Sequence, residues 1–264
     1  MARDGSPGDA DSNVVDSPPH DPCWGTPQNI TAFQGEVVGE PTMSTNQLVA
    51  MWADYSNVTN KWRIRWAHRS LATGPWMVEN AEPFASTSDS DPDPSLDDAG
   101  GDVVFRFGPT TAPRVYEAIY NKVTMTWSVG PVRAPIIAAV DVAGVDLSGD
   151  GLFLYYTDTS DTMRALARAT IDDNFVDAFS FSLAGHARLP SVSPDGLTVY
   201  FDGGGAGILK YTRTATDASF ATDPETVIAS NGQGVKDPDI LGDGHTMIIG
   251  WQSTSAALVH DTCQ

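Results

Sequence analysis

The chain has no run of about 18 apolar residues, so it offers no segment for a membrane-spanning helix. It also lacks G-x-S-x-G, a Gly-rich loop ending in Gly-Lys-Ser/Thr, H-E-x-x-H and C-x-x-C, which removes the signatures of serine hydrolases, P-loop nucleotide sites and common zinc sites. Histidine is scarce: His20, His68, His186, His245 and His260 stand in no metal-ligand spacing, and strand or surface positions account for them. Basic residues are few. Fifteen Lys and Arg face 34 acids, and the resulting net charge of −19 repels a phosphate backbone, so nucleic acid is not expected as a partner. Glutamate is short too, at 6 of those acids against 28 Asp. Asp favours turns and caps over the interiors of helices and strands, which suits a loop-rich β protein.

The 264 residues, 41% apolar and 9% aromatic, can bury the core of one all-β domain. Residues 1–22 are rich in Asp, Ser, Pro and Gly without apolar periodicity, and read as a disordered leader before a single domain over 23–264. The leader is like the low-complexity linker that follows an export signal or lipid-anchor site.

A repeat sets the fold. Leu189–Phe201 reads as a strand, an Asp-Gly turn and a second strand, a β-hairpin. The same template fits Asp237–Ile249 and Gly144–Tyr156, and more loosely Asp93–Phe105 and Glu40–Trp52, where Asn46-Gln47 replaces Asp-Gly. Its proline register falls at 41, 94, 145 (Val), 190 and 238, giving spacings of 53, 51, 45 and 48 residues. Such spacings match one four-stranded propeller blade of about 40 to 50 residues. A third strand follows each hairpin, and a fourth is introduced by Trp76, Trp127, Phe175 or Phe220. The fifth such aromatic, Trp24, lies at the other end of the chain. The expectation is an all-β, five-bladed β-propeller of four-stranded antiparallel blades, its ring closed by the N-terminal strand joining the C-terminal blade.

Ser193-Pro194-Asp195-Gly196 followed by an alternating apolar strand resembles the TolB-type, WD-like propeller repeat, and the resemblance covers residues 23–264. It implies a protein-binding platform, a periplasmic or surface scaffold, or an accessory domain of an enzyme. A monomer with a protein or carbohydrate partner is the expectation. Five-bladed rings are also similar in fold to several glycoside hydrolase families, a likeness that assigns no chemistry.

Innermost strands line a propeller's channel, so the residues flanking the register proline are the candidate site. One layer is Thr42, Ser95, Asp146, Ser191 and Asp239; the other is Glu40, Asp93, Gly144, Leu189 and Asp237. Carboxylates crowded in a narrow pore raise one another's pKa or recruit a cation. Calcium is the expected cofactor, with Glu40, Asp93, Asp146, Asp237 and Asp239 as ligands, and the same five form the expected ligand-binding set. No catalytic residues are assigned in the leading reading of a non-catalytic binding module. The alternative is a glycosidase-like enzyme in which Glu40, Asp93 and Asp146 divide acid and base roles. Two other segments carry less. Asp146–Gly151 imitates the start of a calcium loop but has Thr157 at the twelfth position, and it coincides with the repeat's turn. Lys61–Arg69 puts Lys61, Arg63, Arg65 and Arg69 on one face, where they pair with nearby acids or take an anionic partner.

Cys23 and Cys263 are the only cysteines. Aligning the last blade on the fourth puts Cys263 at the place of Ala215 and Cys23 at that of Ser219, neighbours across a hairpin turn and within reach of a disulfide. An oxidised pair implies a secreted, periplasmic or cell-surface protein.

Overall fold

In the computed structural model the description covers residues 23–30, 33, 38–79, 92–107, 114–121, 123–124, 126–132, 142–158, 162–182, 188–216, 218–221, 223–230, 234–251 and 255–263. The expected leader, 1–22, lies outside them.

Twenty strands form five four-stranded antiparallel sheets. Blade 1 holds β2 (Val38–Met43), β3 (Val49–Ser56), β4 (Lys61–His68) and β5 (Met77–Val78); blade 2 holds β6 (Pro94–Leu96), β7 (Asp102–Phe107), β8 (Arg114–Asn121) and β9 (Thr126–Pro131). Blade 3 holds β10 (Val142–Leu147), β11 (Phe153–Asp158), β12 (Thr162–Ala167) and β13 (Val176–Ser182), and blade 4 holds β14 (Arg188–Val192), β15 (Thr198–Asp202), β16 (Gly207–Thr212) and β17 (Glu225–Ala229). Blade 5 takes β18 (Lys236–Ile240), β19 (Thr246–Trp251) and β20 (Ser255–His260) from the C-terminal end and β1 (Gln28–Asn29) from the other. The five-bladed ring closed by an N-terminal strand is therefore the observed architecture.

Each blade is too thin to hide its own apolar faces, so the core is divided into five clusters, one per blade junction. Met51, Ile64 and Trp66 meet Leu96, Val103 and Phe105 between blades 1 and 2. Tyr155 and Met163 meet Val199 and Tyr211 between blades 3 and 4, and Val38 and Trp52 meet Ile248 between blades 5 and 1.

The turns explain the repeat. In each, the first residue's carbonyl accepts a hydrogen bond from the fourth residue's N–H, as from Gly196 to Ser193 at 2.7 Å. That fourth residue takes a left-handed φ: Gly100, Gly151, Gly196 and Gly244 lie at +65° to +71°, and Gln47 at +57°. Glycine adopts this without a Cβ penalty, which is why four turns use it. In blades 3, 4 and 5 the third residue's carboxylate accepts the next free N–H, as Asp195 Oδ1 does from Leu197 and Asp150 Oδ1 from Leu152, both at 2.9 Å; in blade 2, where the third residue is Ala99, Asp97 Oδ1 accepts from Gly101 and Asp102 instead. Asn46 Oδ1 does the same for Leu48, so Asn-Gln substitutes for Asp-Gly at the cost of a strained Gln47. The imitation calcium loop is one of these turns.

An arginine lock went unread in the sequence. Arg69, Arg168 and Arg213 each donate from Nε to the carbonyl of the left-handed turn residue, at 2.6, 2.7 and 2.8 Å. Each guanidinium also lies over the fourth-strand aromatic seven residues on: Trp76 at 4.2 Å, Phe175 at 4.3 Å and Phe220 at 4.7 Å. Arg69 is thereby committed to structure, and its neighbour Arg63 pairs with Asp54 at 2.5 Å, so the basic stretch is largely consumed within blade 1. Arg168 goes further, holding Glu117 at 2.6 Å and Asp102 at 2.7 Å across the blade 2–3 junction with its side chain fully buried.

The ring is stapled by a Cys23–Cys263 disulfide with a Cα separation of 4.8 Å, as expected. Around it the strand register is thin: β1 pairs only Gln28 with Leu258 and Asn29 with Ala257, supported by bonds from Gly25 N to His260 O and Ile30 N to Ala256 O.

Candidate binding site on the turn face

The inner edge of an innermost strand has N–H groups with no further strand to pair with. Polar side chains from the preceding blade fill that role all the way round. Leu96 N donates to Thr42 Oγ1 (3.1 Å), Leu147 N to Ser95 Oγ (2.8 Å), Val192 N to Asp146 Oδ2 (2.9 Å), Ile240 N to Ser191 Oγ (2.8 Å) and Met43 N to Asp239 Oδ2 (3.3 Å). This closed belt is the reason the position after the register is polar in every blade.

A second, incomplete belt lies one step earlier. Glu40 N donates to Asp237 Oδ2 (3.1 Å), Asp93 N to Glu40 Oε2 (2.7 Å) and Val145 N to Asp93 Oδ2 (2.5 Å). It stops at Gly144 and Leu189, which carry no acceptor; a Cβ on Gly144 would lie 2.7 Å from the Leu189 nitrogen. The period-two alternation expected here is interrupted, because register shifts flank this position in blades 1, 4 and 5 and Glu40, Leu189 and Asp237 adopt φ of +46° to +54°.

Despite the bulges, Glu40, Asp93, Asp146, Asp237 and Asp239 all line one constriction with the register prolines. Its volume is about 20 Å³, room for roughly one water. Calcium sits about 2.4 Å from each oxygen, so its ligand atoms must lie within 4.8 Å of one another. Among the described residues the only acid, Cys or His trio that meets this limit is Cys23, Asp261 and Cys263, whose sulfurs form the disulfide.

Asp146 and Asp239 differ from the other three in facing a second, larger space. Burial raises the Asp146 carboxyl well above the usual carboxylate range, and the Asp239 charge adds to it. Burial likewise pushes Asp239 up to about 7, against hydrogen bonds from Thr42, Met43 N and Ser191 that favour its ionised form. Both Asp146 oxygens are engaged, Oδ1 by Ser95 Oγ at 3.2 Å and Oδ2 by Val192 N.

That larger space is a cavity of about 680 Å³ on the face carrying the turns, running between blades 3 and 4 to the axis. Its position follows from a second ring of contacts that does not close. Thr45 N donates to Asp98 O, Asp98 N to Gly149 O, and Gly242 N to Thr45 Oγ1, linking the turns of blades 3, 2, 1 and 5. Thr45 Oγ1 also bonds the Asp98 carboxylate, which fills the space a Cβ on Gly149 or Gly242 would need. Blade 4 has Pro194 at this position, which has no N–H to give. Among the described residues no backbone bond joins its turn to either neighbour, and the cavity opens there.

Phe153, Tyr155, Phe179 and Arg213 furnish the walls. Tyr155 is the register partner of Asp146 on the adjacent strand, so the two share a sheet face. None of these four was singled out by sequence reasoning. The readable signal was Pro194, which has no N–H to donate towards blade 5 as Thr45 and Asp98 donate to their next blades.

No family model and no curated protein sequence matches the chain. Solved structures similar to it include a functionally unknown protein from Desulfotomaculum acetoxidans DSM 771, at 13% identity and TM-score 0.48 over 81% of this chain and 63% of that one. TolB from Acinetobacter baumannii is similar at 11% identity and TM-score 0.46, over 85% of this chain and 54% of TolB. A chain of the mitotic checkpoint complex is similar at 8% identity and TM-score 0.48, over 98% of both chains. This chain thus spans less than two thirds of the length of the first two.

Proposed function

We propose that the chain is an exported, non-catalytic binding module of TolB type whose ligand enters the turn-face cavity beside blade 4. The observation that carries the reading is the cavity itself: at about 680 Å³ it falls within the roughly 300–1,000 Å³ of small-ligand sites, and it combines apolar walls with a few convergent polar groups. The disulfide supports export, because the cytosol keeps thiols reduced. A glycosidase-like role for Glu40, Asp93 and Asp146 is less well supported. Glu40 and Asp93 border the 20 Å³ constriction, too small for a sugar ring, and not the larger cavity, and each spends an oxygen on a backbone N–H of the next blade. Calcium among the five channel acids is a weaker proposal for the same reason, and a melting temperature that rises with calcium and falls with chelator would support it.

The site is tested by ligand-observed NMR with a fragment library on the protein and on Ala178→Trp, which plugs the mouth of the cavity. Hits are expected to lose binding in the plugged variant. Hits indifferent to the plug place the binding surface elsewhere and overturn the reading.

A further inference from the structure

Resting on that cavity as the binding site, we propose that its ligand is an organic ammonium, a small amine whose charged head sits between Asp146, Asp239 and Tyr155 and whose apolar body lies against Phe153 and Phe179.

Three observations point to this class. Asp146 and Asp239 bring carboxylates to the inner end of the cavity. The one cation in its walls, Arg213, is committed to the fold: its Nε donates to Gly196 O at 2.8 Å and its guanidinium lies over Phe220 at 4.7 Å and Phe179 at 5.2 Å. The cavity therefore presents negative charge that its own walls leave to a ligand or a proton.

The second observation is Tyr155. It is 6% exposed, lines the cavity, and its hydroxyl makes no hydrogen bond among the described residues. Buried hydroxyls are ordinarily paired, and one left facing a cavity is a group waiting for a ligand or water. As register partner of Asp146 it stands beside the carboxylate, so an ammonium, with three donors, can reach both. The third is the aromatic wall. Phe153 and Tyr155 stack at 6.1 Å with their rings 15° apart, and aromatic faces attract cations as well as apolar carbon. A neutral ligand would gain only the apolar contact, and an anion would meet repulsion.

Isothermal titration of β-phenylethylamine and hexylamine against their neutral counterparts 2-phenylethanol and hexanol, with 3-phenylpropionate as the anion, tests the class. At low salt and pH 8 at least one amine is expected to bind about tenfold or more tightly than its alcohol, the worth of one charge-assisted hydrogen bond, and the anion not at all. Asp239→Asn is expected to bring the amine down to the alcohol's affinity while leaving the alcohol unchanged, which certifies that the variant is folded. Tyr155→Phe is expected to weaken the amine several-fold, again sparing the alcohol. An Nα-acetyl-lysine amide in the same series separates sources: if it outbinds both free amines, the ammonium belongs to a protein side chain and the small-amine assignment is overturned. Alcohols and amines binding equally, both blocked by Ala178→Trp, overturn the ammonium and leave the cavity as the site. Hits confined to fragments that ignore the plug sink the cavity itself.

Discussion

Replacing Asp239 by Asn separates the electrostatic and structural roles of the channel belt. Asp239 Oδ2 accepts the Met43 N–H and Oδ1 a bond from Ser191 Oγ. An Asn side chain keeps an oxygen for Met43, and its amide can donate to the Ser191 or Thr42 hydroxyl, which can turn to accept. What the substitution removes is a buried charge. The Asp239 carboxyl is raised from 3.8 to about 7, so between those values the folded chain holds a proton that the unfolded chain has released. Stability from this group is full below the unfolded value and is lost as pH rises through the folded one. Each pKa unit is worth about 1.4 kcal/mol, so the loss approaches something on the order of 4 kcal/mol by pH 8. Asp146, raised by burial and by Asp239, adds in the same direction, with Asp93 acting on Asp146 and Asp98 on Asp239. Urea titrations at pH 4.5 to 8.5 in chelator should show the wild type weakening steadily with pH. Asp239→Asn should match it near pH 4 and exceed it at pH 8 by about 2–4 kcal/mol, equivalent to roughly 5–15 °C in melting temperature for a chain of this size. A flat wild-type profile from pH 5 to 8 with no gain in the variant would falsify the view that these acids carry uncompensated charge. Repeating the series in millimolar calcium asks whether a cation supplies the compensation: only then should the wild type recover at pH 8 and the variant not.

Other parts of the ring make separate predictions. Converting Cys23 and Cys263 to Ser should cost up to about 5 kcal/mol in the chain-entropy model for a bridge spanning 240 residues, and hydrogen exchange should quicken first at residues 24–30, where β1 holds by two register pairs; equal stability with and without reductant would remove the staple from the argument. Arg168→Met strands Asp102 and Glu117 in the blade 2–3 junction and should destabilise by about 3–5 kcal/mol at pH 8. The loss should shrink towards pH 5, because burial and the Glu117 charge already push Asp102 up to about 7; a loss independent of pH would point to packing alone. Gly196→Ala forces a side chain to φ +68° and should cost about 1–2 kcal/mol in urea unfolding, with no loss implying that the turn relaxes freely.

Blade count and ring closure were legible because turn chemistry repeats: the left-handed fourth position is Gly in four blades, and the third is Asp in blades 3, 4 and 5, with Asn46 in blade 1 and Ala99 in blade 2, where Asp97 accepts the next N–H groups instead. The layer after the register was legible as polar, since each of its side chains must satisfy an edge N–H of the next blade. The orientation of the channel layers was not, because alternation cannot anticipate bulges at Glu40, Leu189 and Asp237. The five acids meet at one constriction, and the belts set their spacing around the axis. The cavity was illegible for a further reason: it lies where the contacts between turns are missing, and Pro194 reads in the sequence as part of a Ser-Pro-Asp-Gly turn while lacking the N–H that would reach blade 5.

A fivefold repeat offers five equivalent channel positions, so a single site requires that symmetry be broken, and it is broken twice in the same place. The belt needs only an acceptor, and hydroxyls suffice in blades 1, 2 and 4, where Thr42, Ser95 and Ser191 do the work. Carboxylates appear in blades 3 and 5, as Asp146 and Asp239, where they accept the same kind of bond but cost desolvation that a hydroxyl avoids. Blades 3 and 5 are the two that flank blade 4, whose turn leaves the ring open. Selection for stability alone would place hydroxyls at all five positions. Within this belt charge is kept only at the two positions that border the cavity, and a ligand entering there would compensate a charge that otherwise weakens the fold.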